Sequence, residues 1–220
     1  MNVELARFNM IEQQIRPWEV LDPAVLELLA AVRREDFVPP AYKMLAFVDT
    51  QVPLPGGGCM LEPRVEARLL QELQVQRHEK VLEIGTGSGF MAALLGHRAQ
   101  KVFTLECQPA LARTAAQNLQ RAGMGNVVVR EVAAAEGARG LPGEAPFDVI
   151  LLSGSVAEVP QALLEQLKIG GRLAAIVGDE PMMRARLVTR MGDAAWSSVD
   201  LFDAVAPRLA GFETPSRFRF

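Results

Sequence analysis

The amino-acid sequence predicts an α/β fold in which helices cover both faces of a mostly parallel sheet. From Lys80 onward, short apolar runs alternate with helical patterns at the spacing of βαβ units. A glycine-rich turn joins the first of these apolar runs to the first of these helices. The alternation stops at both ends of the chain. This predicts a helical extension at the N-terminus and an antiparallel hairpin at the C-terminal edge of the sheet.

The first 75 residues are predicted to be mainly helical. Leu5, Phe8, Ile11 and Ile15 recur at spacings of three and four, which predicts one apolar stripe along a first helix. Asp22 is followed by a proline, an order typical of the N-cap and first turn of a second helix. Another proline opens a third helical pattern near residue 63. The stretch between the second and third helices holds a loop with three consecutive glycines.

The central part of the chain contains the elements of the parallel sheet. The predicted strands lie at residues 80–85, 101–106, 127–132, 147–153 and 172–178. The predicted helices lie at residues 91–99, 109–123 and 159–171, the last of them ended by a glycine pair. Beyond them, residues 184–202 are predicted to form two strands joined at Met191, Gly192 and Asp193.

The composition excludes several classes of protein. A net charge of −3 argues against binding to a nucleic-acid backbone, which requires a basic surface. Two cysteines are too few for a disulfide framework, so a reduced, cytoplasmic setting is expected. The charged N-terminus lacks the apolar core of a signal peptide, and no apolar run is long enough to cross a membrane. With two histidines in the chain, no metal site and no Ser-His-Asp triad are expected.

The glycine turn in "VLEIGTGSGF" is the most informative segment. Gly85, Gly87 and Gly89 stand between a strand and a helix, where the backbone can approach a ligand closely. Phe90 occupies the position at which a dinucleotide-binding fingerprint has its last glycine. The spacing therefore favours a smaller adenosyl ligand whose amino-acid part lies along the turn, and it disfavours an NAD-dependent oxidoreductase.

Glu106 adds a second feature of nucleoside binding. It ends the second predicted strand, 21 residues after Gly85. A carboxylate at this place can accept hydrogen bonds from both hydroxyls of a ribose. A structural turn and a solvated surface glutamate are the alternative reading of these two features.

These motifs resemble those of the class I S-adenosylmethionine (SAM) methyltransferases, and of the protein-L-isoaspartate O-methyltransferase family in particular. "AAVRREDFVPPAY" resembles the family segment V-x-R-E-x-F-V, and "PLPGGGCMLEP" falls in place at its loop P-I-G-x-G-Q-T-I-S-Q-P. "VLEIGTGSGF" resembles V-L-E-I-G-T-G-S-G-Y, and the segment "APFDVILLSGS" resembles P-Y-D-x-I-x-V-T-A-A. The resemblance runs from about residue 30 to the C-terminus.

The resemblance implies a function, a cofactor and a set of site residues. The implied reaction transfers a methyl group from SAM to an isoaspartyl carboxylate of damaged proteins, leaving S-adenosylhomocysteine. The implied domains are an N-terminal extension with a substrate-side loop, residues 1–75, and a SAM-binding Rossmann-like domain, residues 76–220. The implied cofactor-binding residues are Glu83, Gly85, Thr86, Gly87, Ser88, Gly89, Glu106, Cys107, Val132, Ala133 and Ser153. The implied substrate loop, a lid over the site, contains Gly57, Gly58, Cys59, Met60 and Leu61.

Two departures from the family pattern fall at these positions. Leu61 stands where the family loop has a hydroxyl residue implicated in substrate handling. Ala133 stands where the family motif G-D-G has the acid that meets the adenine amino group. An apolar side chain disfavours a buried carboxylate beside it, so isoaspartyl peptides are predicted to be poor substrates. Ser153 keeps a hydroxyl where the family has threonine.

Two classes of function therefore stay open. The chain is a methyltransferase acting on an isoaspartyl protein, a peptide or a small carboxylate, or it is a noncatalytic SAM-binding protein with a regulatory role. The sequence does not predict the acceptor or the oligomeric state. It also leaves the C-terminal "RFRF" open as an edge strand, a dimer contact or a tail.

Overall fold

The computed structural model describes residues 2–212 of the chain. The "RFRF" stretch, residues 217–220, lies outside the described residues. The described part begins with helices that pack on one face of a large sheet. It ends in an antiparallel hairpin at one edge of that sheet. Among residues 2–212, none of the helices is both long and apolar enough to span a lipid bilayer.

The N-terminal region is helical, as predicted, except for one small hairpin. The Asp22 carboxylate caps the second helix by accepting a hydrogen bond from the Ala24 amide at 2.8 Å, as expected for an N-cap. A two-stranded hairpin, which the helical prediction for residues 1–75 missed, frames the three-glycine loop. The elements are α1 (Val3–Met10), a π-helical stretch (Ile11–Ile15), α2 (Pro23–Ala31), β1 (Val52–Pro53), β2 (Cys59–Met60) and α3 (Pro63–Leu73), with 3-10 turns at Arg16–Trp18, Arg34–Asp36 and Pro40–Leu45.

The predicted apolar stripe of the first helix is partly wrong. Leu5 and Phe8 are 54% and 58% exposed, whereas Ile11 and Ile15 are buried as expected. The helix turns Arg7 inward instead, because its guanidinium pairs with the Glu35 carboxylate at 2.5 Å. An ion pair that removes an arginine from water cannot be recognised in a pattern that scores only apolar residues.

Within the part of the chain that the structure describes, the sheet has seven strands, and it confirms the predicted fold class. Its strand order is β5-β4-β3-β6-β7-β8-β9, in which the first five strands are parallel and the last two antiparallel. The elements are β3 (Lys80–Ile84), α4 (Phe90–Arg98), β4 (Lys101–Glu106), α5 (Pro109–Arg121), β5 (Val127–Glu131), α6 (Ala134–Gly137), β6 (Phe147–Val156), α7 (Gln161–Leu164), β7 (Leu167–Asp179), β8 (Met182–Gly192) and β9 (Ala195–Asp203). The turn between β8 and β9 lies at Asp193 and Ala194, so it overlaps the predicted joint at Asp193, whereas Met191 and Gly192 still belong to β8.

The helix predicted over residues 159–171 is mostly wrong. Only the single turn of α7 is helical, and β7 already begins at Leu167, which is fully buried and pairs with Phe147. A Cβ on Gly171 would lie 3.0 Å from the Asp148 carbonyl oxygen. The second glycine of this pair therefore allows β7 to pass close to β6, rather than ending a helix.

Apolar side chains fill both faces of the sheet. In β3, Val81 packs with the N-terminal helices and α4, whereas Leu82 packs against the opposite face. The first of these cores also contains Met10 and Leu69, so α1 and α3 share apolar packing with the strands. Burying one such leucine contributes about 1.5–3 kcal/mol. The division of the chain at residues 75 and 76 stays a prediction.

Candidate functional site

A cavity opens where the carboxyl ends of β3, β4 and β6 meet. The strand order reverses at β3, which is the position where open α/β sheets form a ligand-binding crevice. The cavity has a volume of about 150 Å³. Ten of the predicted site residues line it: Gly57, Gly58, Cys59, Leu61, Gly85, Gly87, Glu106, Cys107, Val132 and Ser153.

The glycine turn forms the floor of this cavity. Gly85 and Gly87 have φ angles of +96° and +54°, which glycine adopts without steric cost. The amide groups of Gly85 and Thr86 donate to the Leu105 carbonyl at 2.9 and 3.2 Å, so the turn is tied to the end of β4. The backbone of the turn is thereby fixed in place beside the cavity.

Glu106 connects the turn to the next loop. Its two carboxylate oxygens accept hydrogen bonds from the Gly87 amide at 2.9 Å and the Gln108 amide at 3.0 Å. Each oxygen of a carboxylate can accept more than one hydrogen bond, so capacity remains for the two hydroxyls of a ribose. The side chain is fixed in place before a ligand arrives.

Glu83 lies beneath the turn, in a buried network of hydroxyl groups. Its carboxylate accepts hydrogen bonds from Thr104 and Ser153, both at 2.7 Å, and Thr104 also bonds to Thr86 at 2.6 Å. Burial raises the pKa of Glu83 to about 7, although both hydroxyl groups oppose this shift. Glu66 on α3 contributes further to this rise, and it lines a small recess beside the cavity together with the predicted residues Met60, Glu83, Thr86 and Ser88.

Two predicted site residues, Gly89 and Ala133, line neither the cavity nor the recess. A Cβ on Gly89 would stand 3.3 Å from Leu119 and 3.4 Å from Ala115, so this glycine allows close packing of α4 on α5. Ala133 is exposed and precedes α6. The wall at that end is formed instead by its neighbour Ala134 and by Gly137.

The three-glycine loop crosses the mouth of the cavity. Gly56, Gly57 and Gly58 have φ angles of +83°, +101° and +76°. The loop meets the far side of the cavity at Gly56, where a Cβ would stand 2.1 Å from the Gln108 side-chain oxygen. Leu54 similarly stands 3.0 Å from the place of a Cβ on Gly87. The loop therefore borders the cavity, and its role as a lid stays a prediction.

The side chains at the base of this loop are apolar or neutral. Leu61 is buried, and its carbonyl accepts a hydrogen bond from Arg34 at 2.8 Å. The Cys59 thiol donates to the Gln51 side-chain oxygen at 3.3 Å. Burial, with a further contribution from Glu62, raises the pKa of Cys59 to about 12. Cys59 is therefore a protonated thiol at neutral pH and not an activated nucleophile.

Residues 207–210 form a wall that sequence reasoning missed, and we name this segment the strap. Its backbone pairs with the end of β6, since the Ser155 amide donates to the Pro207 carbonyl at 2.8 Å and the Leu209 amide donates to the Ser155 carbonyl at 2.9 Å. Leu209 packs 2.8 Å from the place of a Cβ on Gly85. This contact joins residues more than a hundred positions apart, and no local pattern in the sequence indicates it.

The described residues offer no obvious metal site. Within residues 2–212, no group of three or more histidine, cysteine, aspartate or glutamate side chains is arranged to hold a metal ion. The polar side chains at the cavity instead suit an organic ligand with hydroxyl and amino groups.

Comparisons with known proteins agree with this geometry. The family model for protein-L-isoaspartate(D-aspartate) O-methyltransferase matches residues 6–204. The protein-L-isoaspartate O-methyltransferase 1 of Syntrophobacter fumaroxidans is 43% identical over 179 residues, which cover 81% of this chain and 82% of that protein. The protein-L-isoaspartate O-methyltransferase of Koribacter versatilis is 40% identical over 186 residues, which cover 84% of this chain and 82% of that protein.

A solved structure shares the fold across almost its whole length. A Plasmodium falciparum protein, assigned as a protein-L-isoaspartate O-methyltransferase and solved in complex with S-adenosylhomocysteine, superposes with a TM-score of 0.75 at 19% identity. The match covers 96% of this chain and 99% of that one. Since both the family model and relatives at 40% identity or more cover most of the sequence, the chain belongs to the protein-L-isoaspartate O-methyltransferase family.

Proposed function

We propose that this protein is a SAM-dependent O-methyltransferase that methylates isoaspartyl carboxylates of damaged proteins. The observation that carries the proposal is the pairing of the glycine turn with Glu106, whose carboxylate binds the Gly87 amide and keeps acceptor capacity for a ribose. Family membership supports both the cofactor and the reaction.

The residues around the cavity have distinct roles in this proposal. The amino-acid part of SAM lies along the turn at Gly85 and Gly87, with Glu83 and Ser153 beneath it. The ribose lies against Glu106. Apolar side chains cover the adenine, since Leu111, Val132 and Ala134 line that end of the cavity. Losing the acid at Ala133 removes one hydrogen bond to the base, worth about 0.5–1.5 kcal/mol, which weakens cofactor binding without abolishing it.

The chemistry requires alignment more than acid–base catalysis. A carboxylate with an ordinary pKa of about 4 is already ionised at neutral pH and attacks the methyl group of a sulfonium directly. The sulfonium sulfur leaves with the electron pair of the broken bond, and the product is a methyl ester. Holding the two reactants in line can contribute about 7 kcal/mol or more. The lid and the strap serve this purpose, since Leu54 beside the lid packs against Gly87 and Leu209 of the strap packs against Gly85.

Two measurements test the proposal. Calorimetry of the purified protein with SAM, S-adenosylhomocysteine and NAD is expected to show binding of the first two ligands and none of NAD. Incubation with methyl-labelled SAM and an isoaspartyl peptide is expected to give base-labile methyl ester, although slowly, because Leu61 lacks the hydroxyl of the family loop; the matching aspartyl peptide is the control. Failure to bind either adenosyl ligand would contradict the assignment of the cavity.

One observation favours a second candidate, a noncatalytic SAM-binding protein. Leu61 is buried at the base of the lid and offers no hydrogen-bond donor to an acceptor. Tight binding of SAM without methyl transfer to any isoaspartyl peptide would support this candidate. A protein or peptide partner and a cytoplasmic setting stay predictions, the latter based on the two free cysteines.

A further inference from the structure

The side chains near the base of the lid supply few hydrogen-bond donors for an incoming carboxylate. The Ser153 hydroxyl gives its proton to the Glu83 carboxylate, and the Cys59 thiol gives its proton to Gln51. Leu61 has no polar atom in its side chain. A carboxylate binds through donors, so these three side chains do not hold one in the arrangement described.

The strap supplies a donor of the missing kind. Arg208 lines the cavity and is the one cationic side chain among the described residues that do so. Its Nη2 nitrogen donates to the Gly178 carbonyl at 2.8 Å and to the Asp179 carboxylate at 2.7 Å, which fixes the guanidinium at the end of β7. Its Nη1 nitrogen is buried and has no hydrogen-bond partner within residues 2–212.

Four arginines have a buried nitrogen without a hydrogen-bond partner among the described residues, and of these only Arg208 belongs to the residues that line the cavity; the others are Arg7, Arg34 and Arg64. Removing a donor from water without replacing its hydrogen bond is unfavourable, and such groups are rare in folded proteins. The Asp179 contact fixes the plane of the guanidinium, so the second nitrogen is held in place next to the first. Nη2 uses both of its hydrogens on Gly178 and Asp179, so Nη1 is the nitrogen with hydrogens left to donate, and a charge-assisted hydrogen bond from it would hold one oxygen of a carboxylate.

We propose that Arg208 binds the carboxylate of the methyl acceptor and takes the place of the hydroxyl that the lid lacks at Leu61. The inference rests on the proposed function and names the residue that selects an anionic acceptor. Arg208 acts as a positioning residue: it orients one carboxylate oxygen while the other attacks the methyl group. The lid and the strap then have different roles: the lid excludes water, and the strap binds the negative charge of the acceptor.

The experiment measures binding and turnover in three variants. Arg208→Gln removes the charge, and Arg208→Lys keeps the charge but loses the planar guanidinium with its Nη1 donor. Arg190→Gln is the matched control. Arg190 also donates hydrogen bonds to two backbone carbonyls, those of Glu165 and Leu167, but it does not line the cavity. Two peptides of the same sequence serve as ligands of the protein loaded with S-adenosylhomocysteine. One has the isoaspartyl carboxylate and the other has a carboxamide at that position.

The expected result is a change in carboxylate recognition alone. Wild type and Arg190→Gln should bind the isoaspartyl peptide at least about tenfold more tightly than the carboxamide peptide. Arg208→Gln should bind both equally, with a raised KM and an unchanged affinity for S-adenosylhomocysteine, and Arg208→Lys should lie between. A wild-type preference for the carboxylate that survives in Arg208→Gln would overturn the inference, as would equal binding of both peptides by wild type. Absence of methyl transfer despite carboxylate-dependent binding would contradict the proposed function instead.

Discussion

Two glycine-rich segments face each other across the cavity, and their glycines are required for different reasons. In the turn at residues 85–89 and in the lid at residues 56–58, every glycine has a positive φ angle. A Cβ on Gly85 would meet Leu209 at 2.8 Å and the Ser153 carbonyl at 3.4 Å. A Cβ on Gly57 or Gly58 would meet no atom of the described residues within 4 Å. The turn needs glycine for space as well as for backbone conformation, whereas these two lid positions need it for conformation alone.

The largest effect on ligand affinity is expected from a substitution that disrupts the glycine turn at Gly85. Gly85→Ala places a side chain at a left-handed backbone position, at a cost of about 1–2 kcal/mol, and pushes Leu209 into the cavity. We expect S-adenosylhomocysteine to bind roughly 100-fold more weakly in calorimetry.

The matched control for this variant is Gly123→Ala. Gly123 has a φ angle of +74° at the end of α5, and open space surrounds the position of its Cβ. It should lose about 1 kcal/mol of stability with unchanged ligand binding. Equal losses of affinity in both variants would mean that general strain, and not the site, explains the effect.

Much of the turn could be predicted from the sequence, and much of the acceptor side could not. The Gly87 amide donates to the Glu106 carboxylate where the adjacent strands β3 and β4 end, so the glycine motif and the acid at the end of the next strand are sufficient to place the turn. Arg208 reaches the cavity only because residues 207–209 pair with Ser155, a contact between distant parts of the chain. The exposed Leu5 and the short α7 were mispredicted for the same reason, since partners elsewhere in the chain decide their environment.

The next largest effect is expected on the pH dependence of stability, and it comes from the buried carboxylate of Glu83 beneath the turn. Burial raises the pKa of Glu83 from its ordinary value of 4.5 to about 7, so the folded state binds more protons than the unfolded state between these pH values. The free energy of unfolding should therefore fall as pH rises through this window. Glu83→Gln should reduce the fall in the free energy of unfolding between pH 5 and pH 8 by roughly 2 kcal/mol.

Denaturant unfolding at pH 5 and pH 8 measures the difference. Glu66 titrates in the same direction, since burial raises its pKa to about 7 as well, so part of the slope should remain in Glu83→Gln. Glu131→Gln is the control, because Glu131 is exposed and pairs in register with Glu106 at the end of the next strand. A Glu83→Gln profile parallel to that of wild type would show that Glu83 is ionised throughout.

A smaller effect is expected on the lid side, at Leu61. Leu61→Ser restores the hydroxyl that the family loop has, and Leu61→Ala removes the same apolar contacts without adding it. The ratio of kcat/KM between the two variants, measured with an isoaspartyl peptide, isolates the hydroxyl. We expect a ratio of about ten, because one hydrogen bond to a charged group contributes about 1.5 kcal/mol. A ratio near one would show that isoaspartyl peptides do not meet a hydroxyl at this position.

The smallest effect on ligand affinity is expected at Gly57, and it distinguishes the lid from the turn most directly. Gly57→Ala should weaken binding of S-adenosylhomocysteine only about fivefold, since a left-handed alanine in the closed lid costs about 1 kcal/mol. Asparagine tolerates this conformation much better than alanine. Gly57→Asn should therefore recover most of the affinity, because the space around residue 57 is open. Gly85→Asn should recover none, because Leu209 and the Ser153 carbonyl already occupy the space that its side chain needs. If asparagine restored affinity at both positions, backbone conformation alone would explain the need for glycine in the turn, as it does in the lid.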